Sequence, residues 1–272
     1  MYLEDKIICI LPILLEESKT REAKNTSTNR DCRKYRKIAN KIKKDNKDDN
    51  RKEIVLSSEL MKQKSFVKDL LSDSNIQILD GKWLAKYLLF DCIKYIADKQ
   101  KEKIEEQEIS IMLNEHEDIN IQTIIHIAQK VKMVNIITDN IGRFIKVEEY
   151  LQDNYGIILR VTNNKKAMLK SSIVINIDFN EEKINRYHFS KKAKVISLYK
   201  EIDIKKLEGN CIKDYKIEMN NKNIKEFKEY NLYKYFDKNL LYEGIIYRKD
   251  SYRNITNEIQ KDNIKIKSLI KI

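Results

Sequence analysis

The sequence has very few of the residues that interrupt regular secondary structure. Its 272 residues include 5 glycines and 1 proline. Because these two residues mark tight turns and irregular chain, their scarcity excludes collagen-like and proline-rich disordered proteins and predicts long helices and strands. The hydrophobic content of 42% is ordinary for a globular protein. A chain of this length can bury a sizeable core in one large or two smaller domains.

Cysteines and long hydrophobic runs are also scarce. The four cysteines are widely spaced and form no C-x-x-C pair: Cys9, Cys32, Cys92 and Cys211. This spacing favours a reducing, cytoplasmic location, with Cys9 and Cys92 as buried thiols. The apolar run IICILPILL has acidic residues on both sides and no small-residue cleavage site. It is too short to span a bilayer, so we predict a buried strand at about 7–14 and no association with membranes.

Positive charge is concentrated in one part of the chain. The segment from Lys19 to Lys52 has 14 Lys/Arg against 5 Asp/Glu, and so carries +9 of the net charge of +12. The remainder is close to neutral, which indicates a local basic patch rather than a nucleic-acid-binding composition throughout. Abundant Ile, Lys and Asn are typical of an AT-rich, low-GC genome, a bias that adds lysine wherever a residue faces solvent.

One helix is predicted within the basic segment, at DCRKYRKIANKIKK (31–44). Its apolar positions follow helical spacing: Tyr35, Ile38, Ala39 and Ile42. Because Tyr35 belongs to this apolar stripe, we expect it to face the core rather than a base. If the opposite face contacted a phosphate backbone, the candidate residues would be Arg30, Arg33, Arg36 and Lys37.

Alternating patterns predict an α/β fold. Residues 1–80 read as strand-helix-strand-helix-strand, a small N-terminal α/β unit in which one helix covers 58–73 with Ser58 as N-cap. Residues 81–103 hold a long connecting helix (82–101), preceded by a turn at Gly81. From 104 to 200, β-branched apolar strands alternate with helices through short connections. This order predicts a three-layer, Rossmann-like parallel sheet with right-handed crossovers.

The tail, 201–272, has weaker periodicity. We predict one helix, within KDSYRNITNEIQKDN (249–263), and expect the segment to pack back on the body because its large apolar residues need burial.

The block from Ile109 to Phe179 resembles the first half of a Rossmann-type dinucleotide-binding domain, as in dehydrogenases of the shikimate and amino-acid groups. The similarity lies in the strand, loop and helix of ISIMLNEHEDINIQTIIHIAQK, the second strand of VNIITDNIGRFIKVEEYL, and the entry into a fourth strand at AMLKSSIVINIDF. The resemblance implies an NAD(P) cofactor, with Asp139 near the position of the acidic residue that binds a ribose hydroxyl.

The loop after the first strand departs from this pattern. The family's glycines would fall near Asn114, His116 and Ile119. Glycine there lets the backbone approach the pyrophosphate. Each nearby carboxylate would oppose a phosphate by about 3–4 kcal/mol at an effective dielectric constant near 20, and the loop has three: Glu115, Glu117 and Asp118. We therefore expect no dinucleotide cofactor, and predict Asp118 as the N-cap of a helix starting at Ile119.

Other polar residues follow the predicted strands at the edge where such sheets bind ligands. The candidates for a cofactor or ligand site are Asn114, His116, Asp139, Asn140, Asn163, Asn164 and Lys165. Asn163 and Asn164 have an alternative role as caps of a predicted helix at 165–172. His116 lies between two acids but lacks the histidine pair of a zinc site, so no metal is expected. No nucleophile motif identifies catalytic residues.

The sequence leaves three functions open. The preferred hypothesis is a degenerate Rossmann-like protein without catalytic activity, acting in regulation or protein interaction, with a protein partner or with itself. The first alternative is an NAD(P)- or other nucleotide-dependent oxidoreductase-like enzyme with an altered phosphate loop. The second is nucleic-acid binding through the basic helix.

Overall fold

The structure is a computed structural model in which residues 35–44, 53–72, 76–198, 202–204, 207, 211–219, 232–234, 236–248 and 250–271 are described. The predicted strand at 7–14 lies outside these residues, as do Arg30 and Arg33. The chain divides into two compact units, Met1–Trp83 with Asn221–Lys249 and Leu84–Asn220 with Asp250–Ile272. The four segments proposed from the sequence stay a prediction.

Helices and strands alternate along most of the described chain. The helices are α1 (35–44), α2 (Ser58–Met61), α3 (Lys64–Leu71), α4 (Lys82–Gln100), α5 (Asp118–Ala128), α6 (Ile141–Tyr155), α7 (Glu181–Ile184), α8 (Lys238–Ile246) and α9 (Tyr252–Lys261). The strands are β1 (Glu53–Ile54), β2 (Gln77–Ile78), β3 (Glu108–Met112), β4 (Met133–Ile137), β5 (Leu159–Thr162), β6 (Ile173–Asn176), β7 (Lys194–Ser197), β8 (Cys211–Glu218) and β9 (Lys265–Lys271).

In the first unit, α1 and α3 contribute to a core beside the parallel pair β1 and β2. The buried members of this core are Ala39, Ile42, Ile54, Leu56, Leu60, Phe66, Leu70 and Ile76. The ring of Tyr35 lies 6.0 Å from that of Phe66, which confirms that Tyr35 faces the core.

The single helix predicted at 58–73 is wrong, because the segment forms α2 and α3 with a break between them. Leu60 and Phe66 would lie about 120° apart on one continuous helix, and the break allows both to be buried in the same cluster. The N-cap is also one residue earlier than predicted. The hydroxyl of Ser57, not that of Ser58, accepts a hydrogen bond from the Leu60 amide.

The second unit contains a seven-stranded sheet with the order β5-β4-β3-β6-β7-β8-β9. Neighbouring strands from β5 to β8 are parallel, and β9 is antiparallel to β8. Counted from β3, the parallel strands follow the order 3-2-1-4-5-6, which is the Rossmann arrangement. The predicted α/β fold with a largely parallel sheet flanked by helices is therefore confirmed.

Three predictions about local structure in this unit are wrong. The tail supplies β8 and β9 to the sheet besides the predicted helix. The segment predicted as a helix at 165–172 holds only a 3-10 turn, Ala167–Lys170. Helix α5 begins at Asp118 rather than Ile119, and its N-cap residue is Glu117, which makes no side-chain cap.

No helix in the described part of the chain is long and apolar enough to cross a membrane.

Candidate functional site

The candidate site lies at the carboxyl ends of β3, β4 and β6. β3 has β4 on one side and β6 on the other, so the direction of the connections reverses at β3 and β6. Open α/β sheets bind ligands at this switch point. Met112 at the end of β3 is paired in register with Ile137 of β4 and Asn176 of β6. The three loops that follow these residues therefore start at one edge of the sheet.

The amides at the start of the loop after β3 are bound by a carboxylate of the same chain. The backbone N–H of Asn114 donates to both carboxylate oxygens of Asp178, with N···O distances of 3.0 and 2.7 Å. The backbone N–H of Glu115 donates to Asp178 Oδ2 at 2.6 Å. In a Rossmann domain that binds a dinucleotide, loop amides after the first strand face the phosphates. Here the anion that they face is Asp178.

Local hydrogen bonds fix the position of Asp178. Asn176 Oδ1 accepts from the Phe179 amide at 3.0 Å, and Asn176 Nδ2 donates to the Phe179 carbonyl at 2.9 Å. This turn ends β6 at Asn176. Phe179 is 1% exposed and belongs to a core cluster, and Asn180 caps α7 by accepting from the Lys183 amide. Asp178 therefore lies between anchored residues. The run IVINIDF predicts a strand through Phe179, but β6 ends at Asn176, so Asp178 lies in the turn after the strand.

Asn114 joins the loop after β3 to the loop after β4. Its Oδ1 accepts from the Asp139 amide at 2.8 Å and from the Thr138 hydroxyl at 3.2 Å. Its carbonyl accepts from Asn140 Nδ2 at 2.9 Å, and its own Nδ2 lies 3.4 Å from Asp139 Oδ2. Three of the sequence-predicted site residues, Asn114, Asp139 and Asn140, are thus brought together in one hydrogen-bond network.

Asp139 also pairs with a lysine from α7. Lys183 Nζ lies 2.9 Å from Asp139 Oδ2, and the two side chains are 43% and 53% exposed. An ion pair this exposed stabilises by no more than about 1 kcal/mol. The charge of Asp139 adds to the effect of burial in raising the pKa of Tyr187, with burial as the larger cause. Asp139, which the resemblance assigned to a ribose hydroxyl, is thus engaged by protein groups but only weakly.

The sequence suggested that the three acidic residues of the loop bring negative charge to the loop amides, and the structure differs on this point. Glu115, Glu117 and Asp118 are all exposed, and Glu117 pairs with Lys86 of α4 at 2.6 Å. The negative charge against the loop amides comes instead from Asp178. Among the described residues other than glycine, only Lys101 and Asn263 have positive φ. The loop therefore has a backbone conformation that does not require glycine.

The remaining candidates, His116 and the segment from Asn163 to Lys165, contact other parts of the chain than the network around Asn114. His116 is exposed, with its ring 5.3 Å from that of Phe144. The exposed segment from Asn163 to Lys165 follows β5. Asn164 Oδ1 accepts from the Lys166 amide at 2.9 Å and the Lys165 carbonyl accepts from the His188 amide at 2.8 Å. Asn164 therefore closes a turn ahead of the 3-10 segment, and the predicted capping of a helix by Asn163 and Asn164 is wrong.

The basic candidates within the described chain lie on α1. Arg36 and Lys37 are both exposed there. In the same first unit, the Gly81 amide donates to Glu243 Oε2 at 2.7 Å, and Glu243 is 1% exposed. Here too, a carboxylate of the chain itself binds a backbone amide next to the start of a helix, α4.

Comparison with solved structures gives only distant similarities. An aspartate transcarbamoylase from Trypanosoma cruzi is 11% identical, with 65% of this chain and 60% of that chain covered and a TM-score of 0.30. A Δ1-pyrroline-2-carboxylate reductase from Thermococcus litoralis is 12% identical, with 42% and 36% covered and a TM-score of 0.29. A mitochondrial ornithine carbamoyltransferase from Coccidioides immitis is 10% identical, with 54% and 53% covered and a TM-score of 0.29.

The matched parts thus span between 36% and 60% of the length of these three proteins. No protein-family model matches the sequence, and no curated protein does. At such low identities and TM-scores, the similarities carry no argument about activity.

Proposed function

We propose that this protein is a Rossmann-like protein that does not use a dinucleotide, and that it acts by regulation or protein interaction rather than by catalysis. The observation that carries the proposal is the carboxylate of Asp178 on the amides of Asn114 and Glu115. The proposed ancestry, a dinucleotide domain similar to those of shikimate and amino-acid dehydrogenases, is supported by the strand order and by Asp139 after the second strand of that order.

The energetics of the loop indicate that Asp178 closes the position beside the loop amides that a phosphate would otherwise take; we call this the closed phosphate position. A phosphate that took the place of Asp178 would have to replace two hydrogen bonds to a charged group, each of which contributes about 1.5–3 kcal/mol. If Asp178 stayed nearby, a phosphate oxygen about 4 Å away would be opposed by about 4 kcal/mol at an effective dielectric constant of 20. The exposed ion pair between Lys183 and Asp139 adds little, so the closure depends on Asp178.

A cofactor screen tests this proposal against the oxidoreductase alternative. Thermal unfolding of the full chain would be measured with NAD⁺, NADH, NADP⁺, NADPH and ATP over a range of concentrations. A ligand that binds only the folded state stabilises it by RT ln(1 + [L]/Kd) and so raises the melting temperature. Because we propose that none of these nucleotides binds, we expect no saturable rise. A saturable rise that is weakened by Asp139→Ala, and not by the exposed control Asp153→Ala, would contradict the proposal and favour the enzyme-like alternative.

A protein-interaction role is supported by exposed hydrophobic side chains in one segment of the second unit. They occur on α6 and just before β5, at exposures of 39% to 71%: Ile145, Tyr150, Tyr155 and Ile158. β5 is the end strand of the described sheet, and an end strand offers backbone groups to another chain. We propose that the occupant is a second copy of this chain, since two identical edges can pair about a two-fold axis.

Sedimentation velocity over a range of protein concentrations tests this association. Ile158 is 71% exposed, so Ile158→Asp should shift the protein towards the monomer without loss of folding. Leu71→Asp is the matched control, because Leu71 is 54% exposed and belongs to the first unit. A monomer at all concentrations, or an equal effect of both variants, would contradict the assignment.

A further inference from the structure

Helix α1 presents one continuous basic face to solvent. Its described residues include no acidic side chain. Five exposed residues are neighbours around the circumference of the helix: Arg36, Lys37, Asn40, Lys41 and Lys44. At 100° per residue these positions fall within an arc of about 140°, and at 1.5 Å per residue they extend over about 12 Å. Four cations thus share one side of a short helix, outside the site at the sheet edge.

The orientation of this face is fixed by packing on the other side of α1. Ala39 and Ile42 are 0% and 2% exposed within the core of the first unit. At the end of the helix, Lys43 Nζ donates to the Ser72 hydroxyl at 2.9 Å. With the apolar side of α1 held in the core, the four cations are directed to solvent without rearrangement of the helix.

The chemistry of the face favours a phosphate backbone as its partner. It offers only cations and one amide, and Arg and Lys on one surface are suited to phosphate oxygens. A membrane-surface helix needs an apolar face to insert, but the apolar side of α1 is buried. Protein hot spots centre on Trp, Tyr or Arg side chains in desolvated pockets, and this face has no exposed aromatic residue beside Arg36.

Duplex is favoured over single-stranded nucleic acid. Single strands are held largely by stacking of bases on aromatic side chains, and Tyr35, the aromatic residue of α1, packs beside Phe66. We propose that the exposed face of α1 binds the phosphate backbone of double-stranded nucleic acid without reading its sequence.

The salt dependence of binding measures the contribution of this face. Each neutralised phosphate of duplex DNA adds about −0.9 to the slope of log K against log [salt]. Arg36→Gln combined with Lys37→Gln should therefore reduce the magnitude of that slope by about 1.8. If affinity in molar salt is unchanged, the same relation gives a loss of about 60-fold in affinity at about 0.1 M salt. The probe is a fluorescein-labelled, mixed-sequence DNA duplex of two helical turns, followed by fluorescence anisotropy with the full chain.

The control is Lys191→Gln combined with Lys192→Gln, which removes the same charge from two exposed neighbouring lysines of the second unit. We expect the control to bind as the wild type does, two duplexes of unrelated sequence to bind equally, and the single strand to bind more weakly. Circular dichroism should show both variants folded, because all four lysine and arginine side chains are exposed.

The proposal is overturned if the duplex does not bind, or if the α1 variant keeps the wild-type slope. It is equally overturned if the control loses as much affinity as the α1 variant, or if phosphatidylserine vesicles bind where the duplex does not. None of these results depends on whether a dinucleotide binds at the sheet edge.

Discussion

Replacement of Asp178 is the most direct test of how the loop after β3 is held. In the native protein its carboxylate accepts the backbone N–H groups of Asn114 and Glu115 at distances from 2.6 to 3.0 Å. Hydrogen bonds to a charged group contribute about 1.5–3 kcal/mol each, so the two together contribute about 3–6 kcal/mol before water is considered. Glu115 is exposed and Asn114 is half-buried, so water can replace part of this interaction. We expect Asp178→Ala to lower the free energy of unfolding by about 2–3 kcal/mol.

Asp178→Asn separates charge from shape. The asparagine keeps one oxygen that can accept a loop amide, but this bond is neutral and so contributes about half as much. We expect a loss of about 1–1.5 kcal/mol for this variant. Urea unfolding followed by circular dichroism measures both changes. The exposed Asp153→Ala should stay within about 0.5 kcal/mol of the wild type.

The same variants report on the closed phosphate position. With the carboxylate removed, the backbone N–H groups of Asn114 and Glu115 can donate to an added anion, so pyrophosphate should stabilise Asp178→Ala more than the wild type. If Asp178→Ala unfolds within about 0.5 kcal/mol of the wild type, or if pyrophosphate stabilises both proteins equally, the proposed role of Asp178 is wrong.

Four further predictions concern other parts of the chain. Gly81 has φ of +87° and a nearest neighbouring atom 3.7 Å from an added Cβ, so Gly81→Ala should cost about 1–2 kcal/mol through backbone strain alone. By contrast, Gly142→Ala, in open space within α6, should stabilise by about 0.5–1 kcal/mol in urea unfolding. Burial, with a smaller effect of Lys130, lowers the pKa of His126 below its usual 6.5. Below about pH 6.5 the unfolded chain then binds more protons than the folded protein, so the stability present above that pH should fall as the pH decreases. The melting temperature of His126→Phe should lose this pH dependence, and that of the control His116→Gln should keep it. Burial raises the pKa of the Cys92 thiol, so brief alkylation at mildly alkaline pH should leave Cys92 unmodified by mass spectrometry until the protein is unfolded.

Much of the fold of the second unit could be predicted because its signals are local and repeated. Strands such as β3 and β6 are short runs rich in isoleucine that are almost entirely buried, and α4, predicted at 82–101, is found at Lys82–Gln100. β8 and β9 were missed because charged residues interrupt their apolar residues, as in KIKSLIK of β9. Such a segment forms a strand only where a neighbouring strand is available for pairing, and this pairing is a long-range property.

In the candidate site, too, some features could be predicted from the sequence and others depended on the tertiary structure. Asn114, Asp139 and Asn140 could be named from the sequence because residues that follow neighbouring parallel strands meet at one edge of the sheet. Asn163, Asn164 and Lys165 satisfied the same rule, but Asn164 closes a separate turn after β5 and the Lys165 carbonyl accepts from the His188 amide. The rule identifies an edge of the sheet, and it does not specify which side chains along that edge reach one another.

The amino-acid sequence alone determined that this chain is an α/β protein with a Rossmann-like order of elements and a loop without glycine after the first strand of the large sheet. It also determined that the basic residues are concentrated near the N-terminus and that Tyr35 lies on the apolar side of its helix. Only the tertiary structure decided which carboxylate faces the loop amides. Asp178 is 64 residues from Asn114 along the chain, and the parallel pairing of β3 with β6 brings the two together. A contact of this kind depends on strand pairing and on a turn closed by Asn176, neither of which leaves a periodic signal in the sequence.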